Sequence, residues 1–420
     1  MKEGRFMMSG NRGSLLAGTA KTDITPQDLA GLTNLWGRPF EGIHDRIYVR
    51  ALVVENGINS AAIVAADLVE FGDTSELRKQ IEKEIGIPTD HIIITASHDH
   101  NAPRVGTTTP GATAQKGGPA TEKYTRIVYE CIVDVVRRAK EALQPAQVGI
   151  GRGTADVNTN RDVFTAEGWR LGANPDGPSE KTVWVVKFET ESGEPIAILM
   201  NYAVHSVVLG ANNTLVTGDL AGAAERYVEQ YYDDKVIALW TLGPAGDQNP
   251  KYMSYNEEPP LFPDRAPGYP IMDALGLLLG EEVVRVTSQI ERMTSDVRIA
   301  ADESVVSCPA RIPPRDQNRD GIEVEEVDSL NIRLGLILID YIALTWVSGE
   351  VVTSIYWHLR QESPFSNTIM ITIANDRVGY IVDDAGYHTP TFESTASPFQ
   401  PGHAESAIVN GLVEMMSQYQ

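Results

Sequence analysis

The sequence predicts an α/β fold in which mixed β-sheets are flanked by helices and a metal site lies at the carboxyl ends of strands. Short β-branched runs alternate with amphipathic helical patterns, as in α/β chains. Hairpin turns are interspersed among them, so the sheets are mixed rather than purely parallel. Several of the apolar runs stop at residues that can bind a metal.

Gly18 to Pro26 reads as an extended segment ending in a turn. In Asp45 to Glu55, Ile47, Val49, Ala51 and Val53 alternate with more polar neighbours, and Asn56-Gly57 turns the chain into a strand over Ala61 to Ala66. Leu77, Ile81 and Ile85 recur at helical spacing, with Gly86 as the stop. A strand from Ile92 follows. The apolar set Tyr124, Ile127, Val128, Cys131, Ile132, Val135 and Val136 predicts a helix over Thr121 to Leu143, capped by Thr121 and closed by Pro145, with Cys131 as core. Further strands are expected at 147–151, 182–188, 196–202, 236–242, 329–339, 341–347 and 368–374. Helices are expected at 219–232, 273–292, 352–360 and 404–416. No repeat or low-complexity linker divides the chain, which favours one domain.

The chain has 420 residues, enough to bury a large core unaided. With 57 acidic against 35 basic side chains its net charge is −22, which repels nucleic acid and anionic bilayers. No apolar run approaches the roughly 18 to 20 residues of a membrane span. Two cysteines, Cys131 and Cys308, are too few for a disulfide framework and read as free thiols. Residues 1–16 hold no apolar stretch of secretory-signal length, so a cytoplasmic protein acting on a small molecule is expected.

The run Ile92-Ile93-Ile94-Thr95-Ala96 ends in Ser97-His98-Asp99-His100. Alternate residues of a strand project to one side, so an H-x-H pair there can face one ion. A second strand ends near His205, a third at Glu350, and a fourth runs towards Asn375, Tyr380 and Tyr387. Histidines with one hard oxygen ligand suit zinc, which lowers the pKa of a bound water to about 7. Residue by residue, His205 equally fits a core histidine bonded to a carbonyl, and Glu350 a cap on the helix after it.

These residues belong to an ordered set of short motifs. They are Asp23-Ile24-Thr25-Pro26, Gly42-Ile43-His44-Asp45-Arg46, Ala96 to Pro103, Asn158-Thr159-Asn160-Arg161, Ala203-Val204-His205, Gly218-Asp219 and Gly246-Asp247. In order and approximate spacing they resemble the catalytic N-terminal domain of the neutral/alkaline (non-lysosomal) ceramidases. The resemblance implies a zinc amidase with His98, His205, Glu350 and Tyr387 on the metal. Tyr380 is the fallback, because the family's N-x-Y…E-E-Y segment matches only through Asn375, Tyr380 and Tyr387. It places His100 beside the attacking water or oxyanion and Arg161 where it meets substrate. Asp219 and Asp247 are candidates to orient the histidines.

Two departures shape the expectation. Asn249 stands where the ceramidases have an active-site serine, which excludes a serine nucleophile and leaves Asn249 as a hydrogen-bond donor to carbonyl or oxyanion. The 420 residues are expected to form a single catalytic domain without the family's C-terminal β-sandwich. The expected reaction is hydrolysis of the amide (C–N) bond of a small soluble substrate by metal-activated water. The alternatives are a lactone or ester hydrolase using the same site, or a catalytically silent metal-binding homologue. A further stretch, Asp316 to Gly321, opens like a calcium loop but has Val327 at the twelfth position, so a solvated turn is favoured.

Overall fold

The computed structural model describes residues 12–106, 118–253, 268–314 and 327–420. Asp316 to Gly321 lie outside the described residues.

Three sheets, each backed by two helices, share one core. The first has strand order Ile92–Ala96, Ser60–Ala66, Tyr48–Glu55, Leu16–Asp23 and Gln144–Pro145. The second runs Ile237–Leu242, Pro195–Tyr202, Thr182–Glu189 and Gln147–Thr154, and the third Ile299–Pro309, Ser329–Ile339, Ile342–Val347 and Thr368–Ile371. Each is antiparallel except at one edge, where a single parallel pair forms: 60–66 with 92–96, 195–202 with 237–242, and 342–347 with 368–371.

Side-chain alternation explains the layering. In the first sheet Ala62, Val64, Ile92 and Ile94 face an outer core with the helices Ser75–Ile85 and Pro119–Glu141, while Ala61, Ile63 and Ile93 face inward. In the second, Val183, Val185, Ile198 and Met200 face the helices Asp219–Tyr231 and Gly268–Ser288, while Trp184, Val186 and Leu199 face inward. In the third, Leu336, Leu338 and Met370 face the helices Thr353–Glu362 and Ala404–Ser417, while Ile337, Ile369 and Ile371 face inward. The inward residues form the shared core. Period-two patterning with both faces apolar is what a sheet buried on both sides requires.

The three parallel edges also touch. Thr372 donates its backbone N–H to Leu242 at 2.9 Å, and Asn375 donates to Ile94 at 2.9 Å. The Asn375 side chain accepts from the Ile94 N–H and donates to the Ile92 carbonyl, both at 2.8 Å, so it covers the open edge of the first sheet. The carboxyl ends of all three parallel pairs thereby converge.

Several boundaries differ from expectation. The long helix begins with Pro119 after Gly118, with no side-chain cap from Thr121, because proline's fixed φ suits the first turn. Cys308 lies near the end of an eleven-residue strand, Ile299–Pro309, that was not expected because polar outer positions conceal its period. A hairpin of Asn158–Thr165 with Gly168–Asn174 was not expected either, because Asn, Arg and Asp crowd its first strand. Both cysteines are free thiols.

Candidate metal centre

His98, His205 and Glu350 come from the three converging strand ends, one from each sheet. His98 lies two residues past the 92–96 strand with φ 59°, in the left-handed region. Loop geometry, not strand alternation, therefore turns His98 and His100 toward one point, with ring centroids 4.7 Å apart. His205 follows the 195–202 strand and Glu350 opens a two-residue strand paired in parallel with Tyr380-Ile381. Glu350 does not cap the next helix; Val352 occupies that position.

The imidazole orientations are set by backbone carbonyls: His98 Nδ1 lies 2.9 Å from the Val69 oxygen and His205 Nδ1 3.0 Å from that of Gln248. Both Nε2 atoms therefore face the centre as lone pairs. There His98 Nε2 is 3.3 Å from Glu350 Oε2 and 3.3 Å from His100 Nε2, and His205 Nε2 is 3.6 Å from Glu350 Oε2. Four ligands at roughly 2.0–2.1 Å around a tetrahedral ion stand about 3.4 Å apart, so these separations fit a metal. The three histidines can each offer a nitrogen within 4.8 Å of the others. His100, expected beside the ion, is thus a third candidate ligand by distance.

Electrostatics fit as well. Burial, then the neighbouring His98 and His205, hold His100 well below the usual imidazole range; burial, Arg161 and His98 lower His205 to about 3. Burial alone would raise Glu350, but His98 and Arg377 outweigh it and keep the carboxyl well below its usual value. Neutral His100 and His205 and an ionised carboxylate are forms that suit a cation. Glu350 Oε2 is buried and accepts no hydrogen bond.

Arg161 borders this centre rather than the surface. Its Nε donates to Glu393 at 2.6 Å, Nη2 to Tyr380 Oη at 3.0 Å, and Nη1 to Asn249 Oδ1 at 3.2 Å; Nη1 also lies 3.3 Å from His205 Nε2. Because Arg161 engages the Asn249 oxygen, the amide's NH₂ is left as a donor. Tyr380 adjoins Glu350 as well as Arg161. Tyr387 is not brought to the cluster: its hydroxyl bonds Ser397 Oγ at 2.9 Å, and Arg311 lies over its ring. The reason is register, since Tyr380 pairs with Glu350 while Tyr387 sits in the short turn Gly386–His388.

Asp219 and Asp247 act elsewhere than on the imidazoles. Asp219 accepts from the Val208, Leu209 and Leu220 N–H groups and from Asn101, which fixes the loops behind both histidines. Asp247 holds Thr353 and Asn160. Glu393, Arg377 and Trp36 were missed from sequence. Trp36 is exposed and stands edge-on to His100 at 5.1 Å. Glu393 and Trp36 lie in no periodic or motif context, and Arg377 stands at an unmatched position within the Asn375 to Tyr387 segment, so only proximity in space marks them.

The family described as neutral/alkaline non-lysosomal ceramidase, N-terminal, matches residues 16–255, more than half of the chain. The chain belongs to this family. Its similarity to a neutral ceramidase of Drosophila pseudoobscura pseudoobscura is 26% identity over 243 residues, covering 50% of this chain and 32% of that protein. With neutral ceramidase A of Dictyostelium discoideum it is 26% over 268 residues, 60% of this chain and 37% of the other. The match thus spans about a third of these ceramidases' length. The crystal structure of neutral ceramidase from Pseudomonas aeruginosa superposes with a TM-score of 0.75 at 15% identity, covering 96% of this chain and 74% of the other, which establishes the shared fold. Among the described residues no helix is long and apolar enough to cross a membrane.

Proposed function

We propose that this ceramidase-family chain is a zinc-dependent hydrolase of an amide (C–N) bond, acting as one catalytic unit. The observation that carries the reading is the buried Glu350 Oε2, which accepts no hydrogen bond and lies 3.3 Å from His98 Nε2 and 3.6 Å from His205 Nε2. His98, His205 and Glu350 hold the ion, with the Tyr380 hydroxyl adjoining. Zinc there supplies Lewis-acid polarisation of the carbonyl and a water acidified to a pKa of about 7.

His100, neutral and with a buried Nδ1 that makes no hydrogen bond, accepts or returns a proton at the centre. Arg161 and the Asn249 NH₂ donate to the carbonyl oxygen as charge develops on it. Asn249 cannot act as a nucleophile, so the attacking group is water. The net charge of −22 favours a small soluble amide over a substrate in an anionic bilayer.

Metal analysis of the purified protein, with amides (short-chain ceramide, N-acyl amino acids) and lactones as substrates, tests the proposal. Wild type should carry stoichiometric zinc and cleave an amide, and His98→Ala should lose both. Full activity in metal-free His98→Ala protein overturns the mechanism. Opening of lactones without amide cleavage moves the function to an ester hydrolase, and bound zinc with no turnover to a silent homologue.

A further inference from the structure

We infer that Arg377 is a positioning residue that restricts Glu350 to binding metal through a single oxygen; this rests on the metal reading above. The Arg377 side chain is only 16% exposed. Its Nη2 donates to Glu350 Oε1 at 2.8 Å, and its Nε lies 2.9 Å from Glu70 Oε2. Glu70 directly follows Val69, whose carbonyl fixes His98 Nδ1. One guanidinium therefore ties the carboxylate to the segment that orients the histidine.

The consequence lies in the two carboxylate oxygens. Oε1 is engaged by a charge-assisted hydrogen bond, the strong kind for a carboxylate. Oε2 alone remains, facing His98 Nε2 at 3.3 Å and His205 Nε2 at 3.6 Å. An unrestrained glutamate can rotate to offer both oxygens, which fills a coordination position that a hydrolytic site must keep open. Arg377 blocks that rotation and holds the carboxylate pre-oriented with Oε2 toward the centre, so that no orienting cost is left to the metal. Glu70, ion-paired with Arg377 Nε, anchors the guanidinium to the segment beside Val69.

The test compares wild type, Arg377→Met and Arg377→Lys in zinc affinity, by competition with a chelator, and in the visible spectrum of the cobalt(II)-substituted protein, which reads coordination number. Arg377→Met should bind zinc about 10- to 100-fold more weakly. Its cobalt spectrum should weaken toward that of a higher coordination number. Arg377→Lys, which keeps the charge but not the planar fork, should fall between. Wild-type affinity and spectrum in folded Arg377→Met protein overturn the inference alone. A wild type that binds no metal, or His98→Ala protein that binds it normally, defeats the metal reading and this inference with it. Should Arg377→Met fail to fold, Glu70→Gln decides: a smaller loss of the same sign supports the inference, and wild-type affinity and spectrum overturn it.

Discussion

Asp162 illustrates how much a single side chain is governed by its neighbours. Adjacent to Arg161, it is pushed up to about 9, first by burial and then by the Glu393 carboxylate. At neutral pH it is therefore a protonated acid able to donate to Glu393, the residue that holds Arg161. A carboxyl raised above its unfolded value of about 3.9 contributes stability at low pH that is lost as pH rises through its folded pKa. Wild type should lose at most about 1.4 kcal/mol per pH unit from this group up to about pH 9 and then level off. Asp162→Asn, permanently neutral, should flatten that slope. Thermal midpoints between pH 6 and 10 check it, and parallel curves for the two proteins would refute it. The same scale separates the two tyrosines: nothing in their residue type distinguishes Tyr380 from Tyr387, and only the register with Glu350 does so.

Among the elements, the loop after His100 carries the tightest constraint. Gly106 has φ +90°, and a Cβ there would lie 1.6 Å from the Phe71 carbonyl oxygen, in the segment that follows Val69 and Glu70. Gly106→Ala should cost more than about 1 kcal/mol and weaken zinc binding, because it lies on the segment that presents His98 and His100. Gly37, with φ +81° and nothing within 4 Å of its Cβ position, is the control. Gly37→Ala carries only the conformational strain of about 1 kcal/mol. Equal melting temperatures for the two variants would contradict the role given to the Phe71 contact. Element type was legible wherever burial imposed a clean period, as in Ser60–Ala66, Thr182–Glu189 and Ser75–Ile85. It was illegible in Asn158–Thr165, where buried Asn158, Asn160 and Arg161 are placed for the site and not for the core.

For the molecule as a whole, the first and second layers are pinned by Arg50. On the 48–55 strand and fully buried, it makes ion pairs with Asp67 at 3.1 Å, Glu225 at 2.7 Å and Glu229 at 3.4 Å, the last two from the helix Asp219–Tyr231. Burial works against its charge, and the three carboxylates more than offset this. Arg50→Met should lower stability by about 3–5 kcal/mol, because it leaves buried acids without their cation. This reads as a reduced urea midpoint at unchanged slope. An unaltered midpoint would show that the layers are held by the shared apolar core alone.

By itself the sequence determined the α/β class, most of the elements, the family through its ordered motifs, and His98, His205 and Glu350 as candidates. Period and local motif are written along the chain, and burial on both faces of each sheet makes them strict. What only the tertiary structure decided was the meeting of three parallel edges, the place of Tyr380, and the partners Glu393, Arg377 and Trp36. Those contacts join residues such as Arg161 and Glu393 that lie 232 positions apart. No local pattern encodes such a pair, because it is the packing of three sheets onto one core that brings it into being.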